Sequence, residues 1–310
     1  MVCPRVIVNP IAGRGRGAAS KDEIYKVFAQ EKQPVELLVT TQPGDATRWA
    51  YEAAQDGIPY IAGAGGDGTA NEIMNGLIRW LVDGGDPSRL PKLGMIPVGT
   101  GNDFGYNFAL PLDVPRACQC LFRGRTRLTD VGLVESDTEK PLYFVNGVGL
   151  GFDAVVNIES RKIRYVTGGA VYLPAVLKTM LFYYRAPRIQ VSYNGETFED
   201  QLMMISVMNG ERFGAMFHMT PGSRIDDRLL SLCFVGKLSR PAMFAMVPRF
   251  IKGSHPSHPK VRLGTAAKVS VESDEPLPSH VDGEIYSTRA RRYTFSIVPW
   301  QVEMICGMEP

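Results

Sequence analysis

At 310 residues the chain is longer than one ordinary domain of about 100–200 residues, so two domains are expected. Hydrophobic residues make up 45% and charged residues 21%, and the net charge is +2; this excludes a disordered chain and a general polyanion binder, so nucleic acid is not expected as a partner. Five cysteines (Cys3, Cys118, Cys120, Cys233 and Cys306) form no CxxC pair, and an odd count scattered over the chain fits a reducing, cytoplasmic setting better than a disulfide framework.

The amino-terminal "MVCPRVIVNP" passes straight into a strand pattern, without the basic, apolar and small-residue succession of a secretory leader. From there to Pro97 the pattern alternates. "RVIVNP" reads as strand, residues 18–31 as helix, "VELLVT" as strand, residues 45–56 as helix and "IPYIAGA" as strand; a helix over 69–82 and the strand "KLGMIP" follow. Such alternation predicts a parallel sheet covered by helices on both faces. Ligands of such sheets sit beyond the carboxyl ends of the strands. Three glycine-bearing loops fall there: "NPIAGRGRG", "GAGGDGT" and "PVGTGNDF".

Beyond about Thr126 the rhythm changes to β-type runs such as "LYFVNGVGLGF", "RIQVSYNGETF", "LMMISVMNG", "LLSLCFVG" and "RRYTFSIV", with Asn194-Gly195 as a hairpin signal. Helical insertions are expected over 153–184 and 241–252. The longest weakly charged run, 166–184, contains Gly168, Gly169, Pro174 and Lys178, and so falls short of the roughly 20 apolar residues that cross a bilayer. The prolines around His255 and His258 in "HPSHP" prevent a helical ligand pair, and "CQC" at Cys118–Cys120 reads as inert thiols in a helix.

Within "GGDGT", Gly65, Gly66 and Gly68 remove the side chains that would hold a phosphate away from the backbone. The helix that follows carries Ile73, Met74, Leu77, Ile78 and Leu81 on one face, so its amino terminus can aim amides at an anion. Asp67 beside phosphates calls for a bridging cation such as Mg²⁺ or a ribose hydroxyl; a turn or cap residue is the plainer reading. Arg14 and Arg16 are further candidate phosphate contacts. Gly99, Thr100, Gly101, Asn102 and Asp103 supply small groups and donors suited to a nucleotide edge. No GxxxxGK[ST] occurs, so a Walker-type loop is excluded.

Taken together, "NPIAGRGRG", "TTQPGDA", "GGDGTANEIMNGL", "PVGTGNDF" and the late "VDGE" resemble, in this order, the diacylglycerol kinase catalytic family, which includes sphingosine kinases and bacterial lipid kinases. The resemblance spans nearly the whole chain. It implies an α/β nucleotide-binding domain with a parallel sheet (1–128, completed by 299–310), a mainly antiparallel β lipid-binding domain (129–298) and a cleft between them. It further implies ATP- and Mg²⁺-dependent phosphorylation of a lipid hydroxyl at a membrane surface, by a cytoplasmic protein peripherally associated with the membrane. Carried over by motif, Asn9, Pro10, Ile11, Ala12, Gly13, Thr41, Gly65, Gly66, Asp67, Gly68, Thr69, Ala70, Asn71, Glu72, Gly99, Thr100 and Asn102 would line ATP, with Asp67 at Mg²⁺.

The family's catalytic carboxylates fall on Asp282 and Glu284. Glu284 is favoured as the group that accepts the hydroxyl proton, with Asp282 supporting it or binding metal; the reverse assignment and Asp67 stay open. Without the other motifs, Asp-Gly-Glu would read as a solvated β-turn. A structural metal implied near "RIDDRLLSL" would use the Asp227 carboxylate and the carbonyls of Arg224 and Leu229. Here Arg228 stands where the family has glycine, and arginine resists positive φ.

For the lipid side, "GGAVYLPAVLKTMLFYYR" is a candidate acyl-chain lining, flanked by Arg161, Lys162, Arg164, Arg185 and Arg188; an apolar core helix with solvated ends has the same pattern. Two other functions fit part of the pattern: a soluble-substrate kinase of the NAD kinase sort, and a non-catalytic nucleotide-regulated membrane-binding protein. The oligomeric state is open, a homodimer through a β edge included.

Overall fold

In the computed structural model, which describes residues 3–163 and 171–307, the first strand, β1 (Arg5–Val8), buries Val6, Ile7 and Val8 completely. They are buried because the strand has a parallel neighbour on each side: β2 (Glu36–Val39), reached through α1 (Arg16–Gln30), and β3 (Tyr60–Gly65), reached through α2 (Asp45–Gln55). A third crossover, α3 (Asp67–Val82), leads to β4 (Lys92–Pro97), which pairs in parallel with β3. The order is therefore β2-β1-β3-β4. The chain winds one way from β1 and the other way from β3, and such a switch point is where open α/β sheets bind ligands. The face predicted for α3 is buried: Ile73, Met74, Leu77 and Ile78 are at 0% exposure. Two helices, α4 (Asp103–Asn107) and α5 (Val114–Arg123), follow β4. The chain up to Thr129 forms one compact unit with the segment from Pro299 onward, where Met304 lies parallel to Leu93.

The second unit covers Asp130–Val298. It is entered through β5 (Thr126–Ser136), which pairs with β6 (Leu142–Phe144). There follow β7 (Gly147–Gly151), α6 (Phe152–Ser160), α7 (Tyr172–Phe182), β8 (Arg188–Tyr193), β9 (Glu196–Met208), β10 (Arg212–Phe213), β11 (Phe217–His218), β12 (Leu230–Gly236) and α8 (Arg240–Lys252). The unit ends with β13 (Val261–Ala266), β14 (Lys268–Ser273), the hairpin of β15 (Ser279–Val281) and β16 (Glu284–Ser287), and β17 (Arg292–Ile305), whose last residues belong to the first unit. All described pairings within this unit are antiparallel. The hairpin expected at Asn194-Gly195 forms, with φ of +52° and +78°, as a two-residue turn between strands demands.

The strand "LLSLCFVG" reads as a continuous apolar run because both its faces are covered. Leu230, Leu232 and Phe234 enter one hydrophobic cluster, while Cys233 and Val235 enter another. The second cluster is rich in methionine (Met180, Met203, Met204, Met208, Met219, Met243 and Met246), and lies where strand meets helix. Unbranched thioethers fill such irregular gaps well.

Candidate active site

In the first unit, the amino terminus of α3 is the hub of the predicted loops. Asn9, the first residue after β1, donates from Nδ2 to Thr69 Oγ1 (3.1 Å) and accepts the Ile11 N–H at Oδ1 (3.2 Å). Pro10, Ile11 and Ala12 then lead to Gly13, at φ +55°, where any side chain would overlap the Val98 carbonyl. Gly66 and Gly99 touch backbone to backbone, so a side chain on Gly99 would run into the Gly66 Cα. The loop after β4 is closed by Asn102, left-handed at φ +51°, whose Oδ1 accepts the Gly99 N–H (2.9 Å) and whose Nδ2 donates to the Gly99 carbonyl (3.1 Å).

Helix α3 opens at Gly66 with no side-chain cap. Gly68 and Thr69 lie in its first turn; Ala70 and Asn71 follow, both buried. Asp67 Oδ1 instead accepts the Phe104 N–H (2.8 Å), so the carboxylate caps the neighbouring α4. The motif itself gives no sign of that partner, 37 positions away. Thr100 lies between the two glycines of "GTG", partly exposed.

Thr41 joins this group through two residues. Asp45 Oδ2 accepts the Thr41 N–H (2.9 Å), the Thr41 hydroxyl (3.0 Å) and the Gln42 N–H (3.2 Å), and Glu72 Oε2 accepts the Gly44 N–H (3.1 Å). Sequence reasoning misses Asp45 as a site residue; its only local signal is its place at a helix start after "QPG". The Thr41 amide, with the other donors, pulls its carboxyl down to about 2. Because the folded value lies below the ordinary value of roughly 3.9, this support for the Thr41 loop is complete above about pH 4 and is lost as pH falls through about 2. A ¹³C-detected titration of the Asp45 carboxyl is expected to find its midpoint near 2; a midpoint near 4 would refute this bonding in solution.

In the second unit, the Asp-Gly-Glu triplet is the tip of the β15–β16 hairpin. Asp282 (φ +45°) and Gly283 (φ +85°) form the turn, and Val281 pairs with Glu284 across it. The two carboxylates have opposite environments. Asp282, 3% exposed, accepts the N–H of Val145 (3.0 Å) at Oδ2 and those of Asn146 (3.0 Å) and Gly147 (2.8 Å) at Oδ1. The Glu284 side chain is 59% exposed, and its Oε2 meets Arg161 Nη2 at 2.6 Å. Asp282 thus anchors the hairpin, and Glu284 is the carboxylate presented to solvent.

The "RIDDRLL" turn departs from the sequence expectation in one respect. Arg228 does take positive φ (+64°), at a cost of about 1–2 kcal/mol. Its backbone N–H donates to Asp130 Oδ2 (2.6 Å), Nε lies 3.4 Å from Asp130 Oδ1, and Nη1 donates to the Val298 carbonyl (3.3 Å). These contacts offset that cost. Asp227 is exposed, and its Oδ1 accepts the Leu229 N–H (3.1 Å); Arg224 Nε lies 3.3 Å from Asp226. Among the described residues no group of three or more His, Cys, Asp or Glu side chains stands together. A cation held at this turn would take the Asp227 carboxylate, with the Arg224 and Leu229 carbonyls and water as its other oxygen donors.

In the segment expected to line an acyl chain, α7 turns Leu173, Leu177, Leu181 and Phe182 outward and buries Ala175, Val176 and Met180. Of its predicted basic flank, Arg161 pairs with Glu284, Lys162 with Glu159, Arg185 with Glu275 and Arg188 with Glu199. Arg164, Gly168 and Gly169 lie outside the described residues.

A parallel α/β unit whose glycine loops converge on one helix terminus, followed by an antiparallel β unit with a carboxylate-tipped hairpin, defines a class of two-part kinases. Family models agree: the diacylglycerol kinase catalytic domain matches residues 4–134, and the YegS C-terminal NAD kinase beta sandwich-like domain matches 146–306. Proteins named diacylglycerol kinase are similar along the chain. That of Staphylococcus carnosus is 29% identical over 281 residues, covering 90% of this chain and 88% of the relative; that of Bacillus subtilis is 29% identical over 283 residues, covering 90% and 89%. Among solved structures, a diacylglycerol kinase from Bacillus anthracis has a TM-score of 0.74 at 22% identity, covering 98% of this chain and 97% of that one. An NAD kinase from Archaeoglobus fulgidus in complex with ATP has a TM-score of 0.53 at 11% identity, covering 98% and 94%. The chain belongs to the diacylglycerol kinase catalytic family and is a lipid kinase, and membership of a kinase family implies use of ATP. No described helix is long and apolar enough to cross a membrane.

Proposed function

We propose that this protein transfers the γ-phosphoryl group of ATP, with Mg²⁺, to the hydroxyl of a lipid, diacylglycerol first among the candidates because the relatives carry that name. The contrast between Asp282 and Glu284 carries the mechanistic part. A carboxylate that already accepts three backbone N–H groups has little capacity to take a proton, whereas Glu284 needs only to part from one arginine. Glu284 is therefore the proton acceptor for the attacking hydroxyl, and Asp282 holds the turn that presents it.

The loops Asn9–Gly13 and Gly65–Glu72, with Thr41, Gly99, Thr100 and Asn102, bind the nucleotide through backbone amides and the uncapped α3 terminus, with Arg14 and Arg16 as exposed helpers. Asp67 supplies the hard oxygen donors that Mg²⁺ prefers. The cation, when bound, neutralises charge on the transferring phosphates.

The exposed apolar row of α7, with Phe244 and Ile251 exposed on α8, supports a substrate met at a bilayer surface. Charge distribution adds to this: residues 160–195 hold six Lys or Arg and residues 237–271 hold seven, with no Asp or Glu in either stretch. A cytoplasmic protein docking peripherally on an anionic membrane fits these features.

The test is transfer of label from [γ-³²P]ATP, with Mg²⁺, to mixed micelles of diacylglycerol, monoacylglycerol, ceramide, sphingosine, undecaprenol or phosphatidylglycerol, with NAD as the soluble acceptor. Label in a lipid and none in NAD is expected. Label in NAD alone would replace this reading with that of a soluble-substrate kinase.

A further inference from the structure

We propose that His280 and one stripe of α6 form a positioning clamp that fixes the Glu284 turn. Asp153, Asn157 and Arg161 recur at every fourth residue, so they share one side of α6 and its carboxyl-terminal cap. All three reach the hairpin. Asn157 Nδ2 and Arg161 Nη2 both donate to the Gly283 carbonyl, each at 2.8 Å. Asp153 acts through His280, whose Nε2 lies 3.2 Å from Asp153 Oδ2.

His280 is 3% exposed, and its Nδ1 accepts the Gly283 N–H (3.3 Å). An accepting Nδ1 carries no proton, so the proton sits on Nε2 and is donated to Asp153. The Phe213 ring packs edge-on against the imidazole, with ring centres 4.8 Å apart. Room for the pair is made on the facing strand. Gly149 stands opposite His280 in the β7–β15 register, and a side chain there would strike both His280 Nε2 and Asp153 Oδ2.

Both peptide groups flanking the Gly283 Cα are thereby held, one through its N–H and the other through its carbonyl. The second of these leads directly into Glu284. A turn with two successive positive-φ residues, one of them glycine, has little intrinsic rigidity, while a proton acceptor must stay within a fraction of an ångström of its working position. His280 supplies that constraint as a positioning residue. The proposal rests on Glu284 being the proton acceptor.

The test compares His280→Leu with His280→Asn, whose amide oxygen can stand where Nδ1 stands. On the lipid that the wild type labels best, His280→Leu is expected to lower kcat about tenfold or more while KM for ATP stays within about twofold, because misplacement of a reacting group by about 1 Å costs up to roughly 10² in rate. His280→Asn is expected to recover most of the loss. Hydrogen exchange at the Gly283 amide should accelerate in His280→Leu and stay near wild type in His280→Asn. If His280→Leu does not fold, Asp153→Ala, which leaves the ring without its orienting acceptor, is expected to give the same loss confined to kcat. Unchanged exchange and unchanged kcat would overturn the clamp, as would His280→Asn being as impaired as His280→Leu. If the wild type labels no lipid, the proton-acceptor reading falls, and Gly283 exchange still decides whether the clamp exists.

Discussion

Replacing Glu284 with glutamine is expected to lower lipid phosphorylation by roughly 10²- to 10⁴-fold while leaving ATP affinity within about twofold, the range associated with loss of a general base. The substitution keeps the size of the side chain and an oxygen that the Arg161 guanidinium, 2.6 Å away in the native protein, can still approach. What it removes is the ability to take up a proton. The residues proposed to bind the nucleotide belong to the other unit, so equilibrium ATP binding serves as the control. Full turnover in Glu284→Gln would remove Glu284 from the base role and return Asp67 to consideration.

Asp282→Ala is expected to act by another route, destabilising the second unit by about 3–5 kcal/mol. The substitution strips acceptors from the buried N–H groups of Val145, Asn146 and Gly147, and each buried unsatisfied donor costs about 1–3 kcal/mol before water or relaxation reduces the sum. Against a typical stability of about 5–15 kcal/mol this is a large share. Far-UV circular dichroism in urea is the suitable probe, because Trp49, Trp80 and Trp300 all lie in the first unit and would not report on the β15–β16 hairpin. Asp282→Asn should lose less, since its amide oxygen still accepts. An unchanged unfolding midpoint for Asp282→Ala would overturn the anchoring role.

These two substitutions separate carboxylates that stand two positions apart in one motif. Sequence reasoning favoured Glu284 only through the family resemblance and left the reverse assignment open, because the motif records residue type but not surroundings. The donors that occupy Asp282 lie 135–137 positions away in the chain. The same limit applies to Asp67, whose partner is the Phe104 amide, and to Arg228, where the expectation from backbone sterics is outweighed by hydrogen bonds to Asp130 and Val298. Local preference is a weak prior wherever long-range contacts of comparable size compete with it.

By itself the sequence determined the features that depend on period and local chemistry. Apolar alternation marked a parallel α/β part and an antiparallel β part, Asn-Gly marked a hairpin, and glycine loops after the first, third and fourth strands marked the place where a phosphate is proposed to bind. Such signals are readable because backbone geometry repeats every 2 or 3.6 residues and because only glycine tolerates certain turns and approaches. Tertiary structure alone decided which carboxylate is buried and which exposed. It also brought the α6 stripe of Asp153, Asn157 and Arg161, together with His280, to the two sides of Gly283. Those outcomes depend on strand register and helix docking between segments more than 100 residues apart, and no local pattern encodes that pairing.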